Sequence, residues 1–503
     1  MDGLWVHGGL VLTLDGPEGW EPRPLDLVVA GDRIEAVRPG GGSAPAGYRE
    51  VDARGRLVLP GLINAHLHSD ENLFKGRYDN LPLELWMLFT YPPLAYGPVP
   101  PRLAYLRTMI GAIEMLRGGV TAVGDDVSQF PSATPDVTDA IMQGYLDAGL
   151  RASVTVALSD KPWPDKLPRV RGLLPEDLLR EFGPPEQVPA LLAIYEHALT
   201  HWHGKAGRLR VGVSASAPER CSDALLLALA DFARRHELTM TTHVLESRLQ
   251  VVAGREFFGH TLVERLDRLG LLSERLTIAH GIWMTEADIS RLARSGATVA
   301  HNPVSNLRLG AGIAPLTRLL AAGVTVALGT DGSSSNDAQG VFEAMKAAVI
   351  LQRVVDPGFE RWPTARDALA MATAGGARAL GLQEHTGILA PGRLADFVLL
   401  DLNTPSFVPL NNAVRQLVFA ESGRAVDRVY VGGRLVVSGG RVISVDETAI
   451  YDELRVLLPE FERHYRGAVE ANRRLFPFVE QVYRQITAED VGLERYARSA
   501  QRG

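Results

Sequence analysis

The chain has 503 residues, enough for two or three folding units around a large core. A formal charge of −7, with 46% apolar and 22% charged residues, is that of an ordinary globular protein and leaves no basic face for nucleic acid or an anionic membrane. A single cysteine, Cys221, excludes internal disulfides and thiolate zinc modules, including the deaminases whose ligands are mainly cysteine.

Met1 to Trp5 lack a basic stretch, and no run of about 18 apolar residues appears anywhere, so neither a signal peptide nor a membrane span is expected. The cytoplasm is the expected location. Residues 5–13 read as a short hairpin around Gly8-Gly9, and 27–30 with 33–37 as a second one. The same texture returns at 396–400 and 429–437. These separated pieces predict one small β-sandwich domain formed from both termini, residues 1–59 and 386–445.

Between them, strand-like runs at 57–66, 120–123, 152–156, 209–213, 238–242, 276–279, 297–300 and 324–328 alternate with amphipathic helical intervals. Eight such units predict a (β/α)8 TIM barrel over 60–385. A doubly wound open sheet is the alternative, but no Gly-x-Gly-x-x-Gly turn supports it. Residues 446–503 read as a helical C-terminal tail. Its stripe of Tyr451, Leu454, Leu458, Phe461 and Tyr465 is expected to pack on the barrel or a second subunit. Pro459 and Pro477 are expected to kink or divide it.

Four of the predicted strands end in residues able to act on one site. They are His66-Leu67-His68, His243 with Glu246, His280, and Asp331. In a strand, residues i and i+2 share a face, so His66 and His68 project together. In barrel enzymes the strand C-termini meet at one mouth. Imidazoles and a carboxylate there suit a divalent ion such as Zn²⁺ or Fe²⁺. Water at its open position has a pKa lowered towards about 7, and Glu246 can carry a proton for it. His197, His201 and His203 are a competing group, but they precede a strand and read as an exposed helix end. His236 and His260 read as surface residues, and Asp125-Asp126 as a structural hydrogen-bonding pair at the same rim.

Pro60-Gly61-Leu62-Ile63-Asn64-Ala65-His66-Leu67-His68, His243-x-x-Glu246, Ala279-His280, His301-Asn302-Pro303, Gly329-Thr330-Asp331-Gly332 and the late 387–397 segment occur in an order that resembles the amidohydrolase superfamily, in its cytosine deaminase-like, mononuclear branch. Gly332-Ser333-Ser334-Ser335-Asn336-Asp337, Asp401-Leu402 with Pro405, and the helical tail direct the likeness to the triazine hydrolases, atrazine chlorohydrolase and melamine deaminase among them.

The resemblance implies a (β/α)8 barrel with a terminal β-sandwich. It implies that His66, His68, His243 and Asp331 bind one divalent metal ion, zinc ahead of iron. His280 would hydrogen-bond the metal-bound water, Glu246 would shuttle protons, and Asp331 would also accept one. His301 would contact substrate. Binuclear relatives carry a carboxylated lysine on strand four, and 208–217 contains no lysine, which favours a single ion. Nucleoside deaminases of the adenosylhomocysteine type have a ribose-binding glutamate where this chain has Ala95 and a histidine where it has Ser216. The resemblance thus points away from a nucleoside.

The loop from Ser69 to Tyr91 is expected to form much of the pocket. Trp86 would stack on a flat ring, and Glu71 and Ser335 would hydrogen-bond ring nitrogens or amino groups. The expected function is hydrolytic deamination of a nitrogen heterocycle, with metal-activated water attacking an amino-bearing ring carbon. Loss of halide or alkylamine from a triazine-like ring, and ring-opening amide hydrolysis, could use the same site. A non-catalytic scaffold is the alternative from a different class. The expected partners are the small heterocyclic substrate and copies of the same chain, as a homodimer or higher homo-oligomer, with neither nucleic acid nor membrane.

Overall fold

Eight short runs rich in Val, Ile, Ala and Thr become parallel strands buried on both faces, which is why they read as apolar runs rather than alternating ones. In the computed structural model, which describes residues 3–497, they are β1 (Leu62–Leu67), β2 (Val120–Val127), β3 (Arg151–Leu158), β4 (Leu209–Val211 and Val213–Ala215), β5 (Met240–Val244), β6 (Leu276–His280), β7 (Thr298–His301) and β8 (Thr325–Leu328). They pair in parallel from β1 through to β8 in chain order. Helices cross between them, as parallel connections require. The fold is the expected (β/α)8 barrel.

β1 and β8 meet at a seam closed just beyond the ladders. The amides of Thr330 and Asp331 both donate to the His66 carbonyl, at 3.1 and 3.0 Å. Asn64 reinforces it, its Oδ1 accepting from the Thr330 amide at 3.0 Å and its Nδ2 donating to Thr330 Oγ1 at 2.7 Å. This seam ties the first candidate ligand strand to the last.

The run 57–66, expected as one strand, is two. Arg56–Pro60 belongs to the terminal sheet, where it pairs with Phe397–Asp401, and β1 starts at Leu62. Pro60 offers no N–H to continue a ladder. A Cβ on Gly61 would lie 2.0 Å from Thr121 Oγ1, so only glycine lets the chain pass from one sheet to the other here.

Strands from both ends of the chain share one ten-stranded sheet. The hairpins at 23–39 and 426–438 form as expected. The hairpin expected at 5–13 does not. Leu4–His7 and Leu10–Val11 run in one direction, both antiparallel to Arg23–Ala30, and each takes a different second partner. Gly8-Gly9 therefore shifts the strand sideways instead of reversing it.

Four helices matter for the site: α1 (Leu83–Thr90), α2 (Arg248–Phe258), α3 (Glu447–Asn472) and α4 (Phe476–Ala488). The tail is helical through α3 and α4, then irregular to residue 497; the last expected residues, 498–503, lie outside the described part. Pro459 is carried inside α3, and the break falls at Arg473–Leu475, just before Pro477 in the first turn of α4. Leu454, Phe461 and Tyr465 are buried, and the Tyr465 hydroxyl donates to the Phe89 carbonyl at 2.5 Å, so the stripe packs on the barrel's own loops. Among the described residues, no helix is long and apolar enough to cross a membrane.

Candidate active site

The strand ends bring the predicted residues together. His68 Nε2 lies 3.2 Å from Asp331 Oδ1, and His66 Nε2 lies 3.6 Å from the same oxygen. His243 Nε2 is 3.2 Å from His68 Nε2. His280 Nε2 is 3.6 Å from Glu246 Oε2 and 3.9 Å from Asp331 Oδ2. All six side chains are buried. Leu245, His280 and Asp331 adopt left-handed backbone conformations, with φ of 56°, 72° and 63°. For residues with a Cβ each costs about 1 kcal/mol or more, strain typical of positions where side-chain direction matters.

The outer nitrogens of three of the four imidazoles are spoken for. Nδ1 of His68 faces the Asp126 carbonyl at 2.5 Å, Nδ1 of His243 the Ser216 carbonyl at 2.7 Å, and Nδ1 of His280 Asn306 Oδ1 at 2.9 Å. A carbonyl can only accept, so in His68 and His243 the proton sits on Nδ1 and the Nε2 lone pair points inward. Two such lone pairs 3.2 Å apart repel unless a cation lies between them. His66 Nε2 is buried with no hydrogen-bond partner. This donor set fits a divalent ion.

The electrostatics follow from burial. It pushes the His243 imidazole well down, helped by His66 and His68. Burial opposes ionisation of Asp331, but the His66 and His68 imidazoles beside it hold its carboxyl well below the usual range. Glu246 goes the other way: burial, then the Asp331 charge, raise it well above an ordinary carboxyl. Its amide is pinned to Gln250 Oε1 at 2.7 Å. Burial and charge thus push the two acids in opposite directions, Asp331 towards its ionised form and Glu246 towards its neutral one, as acid–base catalysis requires.

A cavity of about 110 Å3 opens over this cluster. Trp86, Tyr91, Phe130 and Trp163 form its aromatic wall. Glu84, Lys166, Ser216 and Arg220 also line it. Burial, then Arg220, push the Lys166 ammonium down to about 8, and its Nζ donates to Ser159 Oγ at 2.7 Å.

The model of the amidohydrolase family matches residues 57–436. The chain belongs to that family. A 5-methylthioadenosine/S-adenosylhomocysteine deaminase of Syntrophobacter fumaroxidans is 34% identical over 456 residues, 90% of this chain and 97% of that one. Among solved structures, a zinc-bound adenosine deaminase from Xanthomonas campestris aligns with a TM-score of 0.80 at 27% identity, covering 93% of this chain and 98% of its own. Zinc-complexed atrazine chlorohydrolase from Arthrobacter aurescens aligns at 0.82 and 28%, covering 91% and 100%. Both branches weighed in the sequence are thus represented among the relatives of this amidohydrolase.

Of the residues expected to contact substrate, Trp86 stands in the cavity wall and the other three do not. Glu71 turns away. Its Oε2 accepts from the Ser334 amide and hydroxyl, at 3.1 and 2.6 Å, and its Oε1 from the Tyr91 hydroxyl. Burial pushes it up to about 7. It braces the strand-eight loop from behind. Ser335 Oγ donates to the Gly332 carbonyl at 3.1 Å and is likewise internal. His301 is buried at the end of β7 with neither ring nitrogen bonded, and burial pushes it down to about 3. The Ser69–Tyr91 loop lines the cavity through Leu83, Glu84, Trp86, Met87, Leu88 and Tyr91, whereas the deeper Glu71 carboxylate is taken up by protein donors.

Tyr91, Lys166 and Arg220 were missed. Arg220 lies a few residues beyond β4, so the strand-end rule that found the histidines also reaches it. Lys166 carries no comparable signal. As read from sequence, His197 is elsewhere, its Nε2 2.8 Å from Asp139. Asp125 is a structural acceptor, for the Ser69 amide at 2.9 Å and the Tyr145 hydroxyl at 2.8 Å.

Proposed function

We propose that this amidohydrolase is a metal-dependent hydrolytic deaminase that removes ammonia from an amino-bearing carbon of a nitrogen heterocycle. One observation carries the reading: the Glu246 and Asp331 carboxyl groups flank His280 Nε2, at 3.6 and 3.9 Å, beneath an aromatic-walled cavity. His66, His68, His243 and Asp331 would hold the ion, with zinc ahead of iron for three imidazoles and a carboxylate. When bound, such an ion supplies the Lewis acidity that makes water a nucleophile near neutral pH.

The chain's own groups then move the protons. Glu246 delivers its proton to the ring nitrogen beside the attacked carbon. Asp331 takes one proton from the attacking water and passes it to the departing amine. The remaining hydroxyl proton returns to Glu246 as the carbonyl forms, so acid and base are reset. His280, its Nδ1 turned to Asn306, offers Nε2 to the nucleophile. Trp86 and Phe130 give the flat ring apolar faces to stack on.

Relatives named for deaminating adenine nucleosides and a neighbour named atrazine chlorohydrolase bracket the ring class. Loss of halide is the second reading, favoured by that last likeness. A homo-oligomer is supported by Val354, Val355 and Phe359, which leave apolar surface exposed at the end of one barrel helix. A cytoplasmic location fits a chain whose one cysteine is buried and unpaired.

The test is release of ammonia and of chloride from adenosine, 5′-deoxyadenosine, cytosine, melamine and a chlorotriazine, by zinc-loaded and chelator-stripped protein. Ammonia from at least one amino ring, lost on stripping and restored by zinc, is expected. Chloride without ammonia would favour the second reading. Undiminished turnover by stripped protein would overturn both.

A further inference from the structure

Three segments lie around the cavity: α1 with Glu84, Trp86 and Met87 and the 163–167 stretch with Trp163 and Lys166 in its wall, and α2, which follows Glu246 beside His280. Helix α4 of the C-terminal tail lies against all three. Its Val479, Val482 and Ile486 share one buried apolar cluster with Leu85 and Leu88 of α1, Val170 and Leu174 just beyond the second stretch, and Leu249 and Val252 of α2.

Immediately past α4, Glu489 joins these segments by charge. One carboxylate oxygen accepts from Arg169, the other from Arg255 of α2 at 2.7 Å. Arg169 also donates through Nε to Glu256 of α2 at 2.9 Å. It does so from a left-handed conformation, φ 67°, that residues with a Cβ avoid. Arg248 Nη1 completes the junction, donating to the carbonyls of Thr487 at 2.6 Å and Glu489 at 3.2 Å. Arg169 sits two residues beyond Leu167, itself a wall residue.

We propose that Glu489 is a positioning residue that, through Arg169, holds the 163–167 wall over the substrate cavity. The C-terminal tail thereby sets how tightly substrate is bound while leaving the chemistry to the strand ends. The inference rests on that cavity being the reaction site. Arg169 and Glu489 are each about 30% exposed, so the junction weakens with salt.

The test uses full-length, zinc-loaded protein and its Glu489→Gln and Arg169→Met variants. Steady-state kinetics with the best ring from the panel should show KM raised about three- to five-fold in both, the size an exposed ion-pair junction supports, with kcat close to wild type. Added salt should raise the wild-type KM and leave that of Glu489→Gln nearly flat. Trypsin reports the same wall without turnover, since Lys166 lies within it and Arg169 and Arg171 just beyond it, each followed by a residue other than proline. Cleavage there should be faster in Glu489→Gln. Unchanged KM and unchanged cleavage would overturn the proposal. So would a loss of kcat or of melting temperature with KM unchanged, the mark of a purely structural role. If no ring is turned over, the deaminase reading fails, and the trypsin comparison still decides whether Glu489 holds the wall.

Discussion

At the scale of single residues, one buried environment pushes neighbouring acids in opposite directions. His66, His68, His243 and Asp331 share their inner atoms, while Glu246 is pushed towards its neutral form by burial and by the Asp331 charge. Glu246→Gln keeps the shape and removes the transferable proton. Its kcat is expected to fall about 100- to 10,000-fold, with zinc content and KM near wild type, checked by steady-state kinetics beside metal analysis. His68→Ala is expected to lose zinc itself, because His68 contributes an inward lone pair, and loss of activity should then track metal content.

At the scale of elements, what matters is how strand ends are braced. The turn after β8 runs against the Glu71 carboxylate so closely that a Cβ on Gly332 would lie 1.8 Å from Oε2. Gly332→Ala must displace Glu71 from Ser334 and Tyr91, and with it the mount of Asp331. Overpacking of this kind costs about 1–3 kcal/mol. A lowered urea midpoint with unchanged slope is expected, together with weaker zinc retention. Truncating Glu71 to Ala in the same chain should recover part of the packing loss; a double variant no more stable than Gly332→Ala would show that the clash is relieved elsewhere.

For the whole molecule, the barrel and the terminal sheet are locked by one buried ion pair. Arg151, the first residue of β3, donates through Nε and Nη2 to Asp396, at 2.9 and 3.1 Å, and both side chains are almost inaccessible. Asp396 also accepts from the Gly432 amide at 2.7 Å, within a hairpin of the terminal sheet. Asp396→Asn strands a buried guanidinium and is expected to cost about 3–5 kcal/mol. Replacing both partners by Met and Leu should cost less than the two single changes together, which a double-mutant cycle in urea measures.

The barrel and its metal-type donors were legible in the chain because they rest on local rules. Apolar runs with helical intervals specify parallel strands, and a His-x-His at a strand end must present both rings to one side. The mouth of such a barrel then gathers His243, Glu246, His280 and Asp331 whatever their distance in sequence. Only the tertiary structure decided which side chains face the cavity. Glu71 and Ser335 follow the right strands, yet nearby donors capture the Glu71 carboxylate and a backbone carbonyl captures the Ser335 hydroxyl, while Lys166 and Arg220 reach the wall from loops that follow other strands. Likewise Gly8-Gly9 shifts a strand rather than turning it, because the neighbouring strands that receive it come from elsewhere in the chain. Pairing and side-chain capture depend on which groups arrive nearby, and that is set by the fold as a whole.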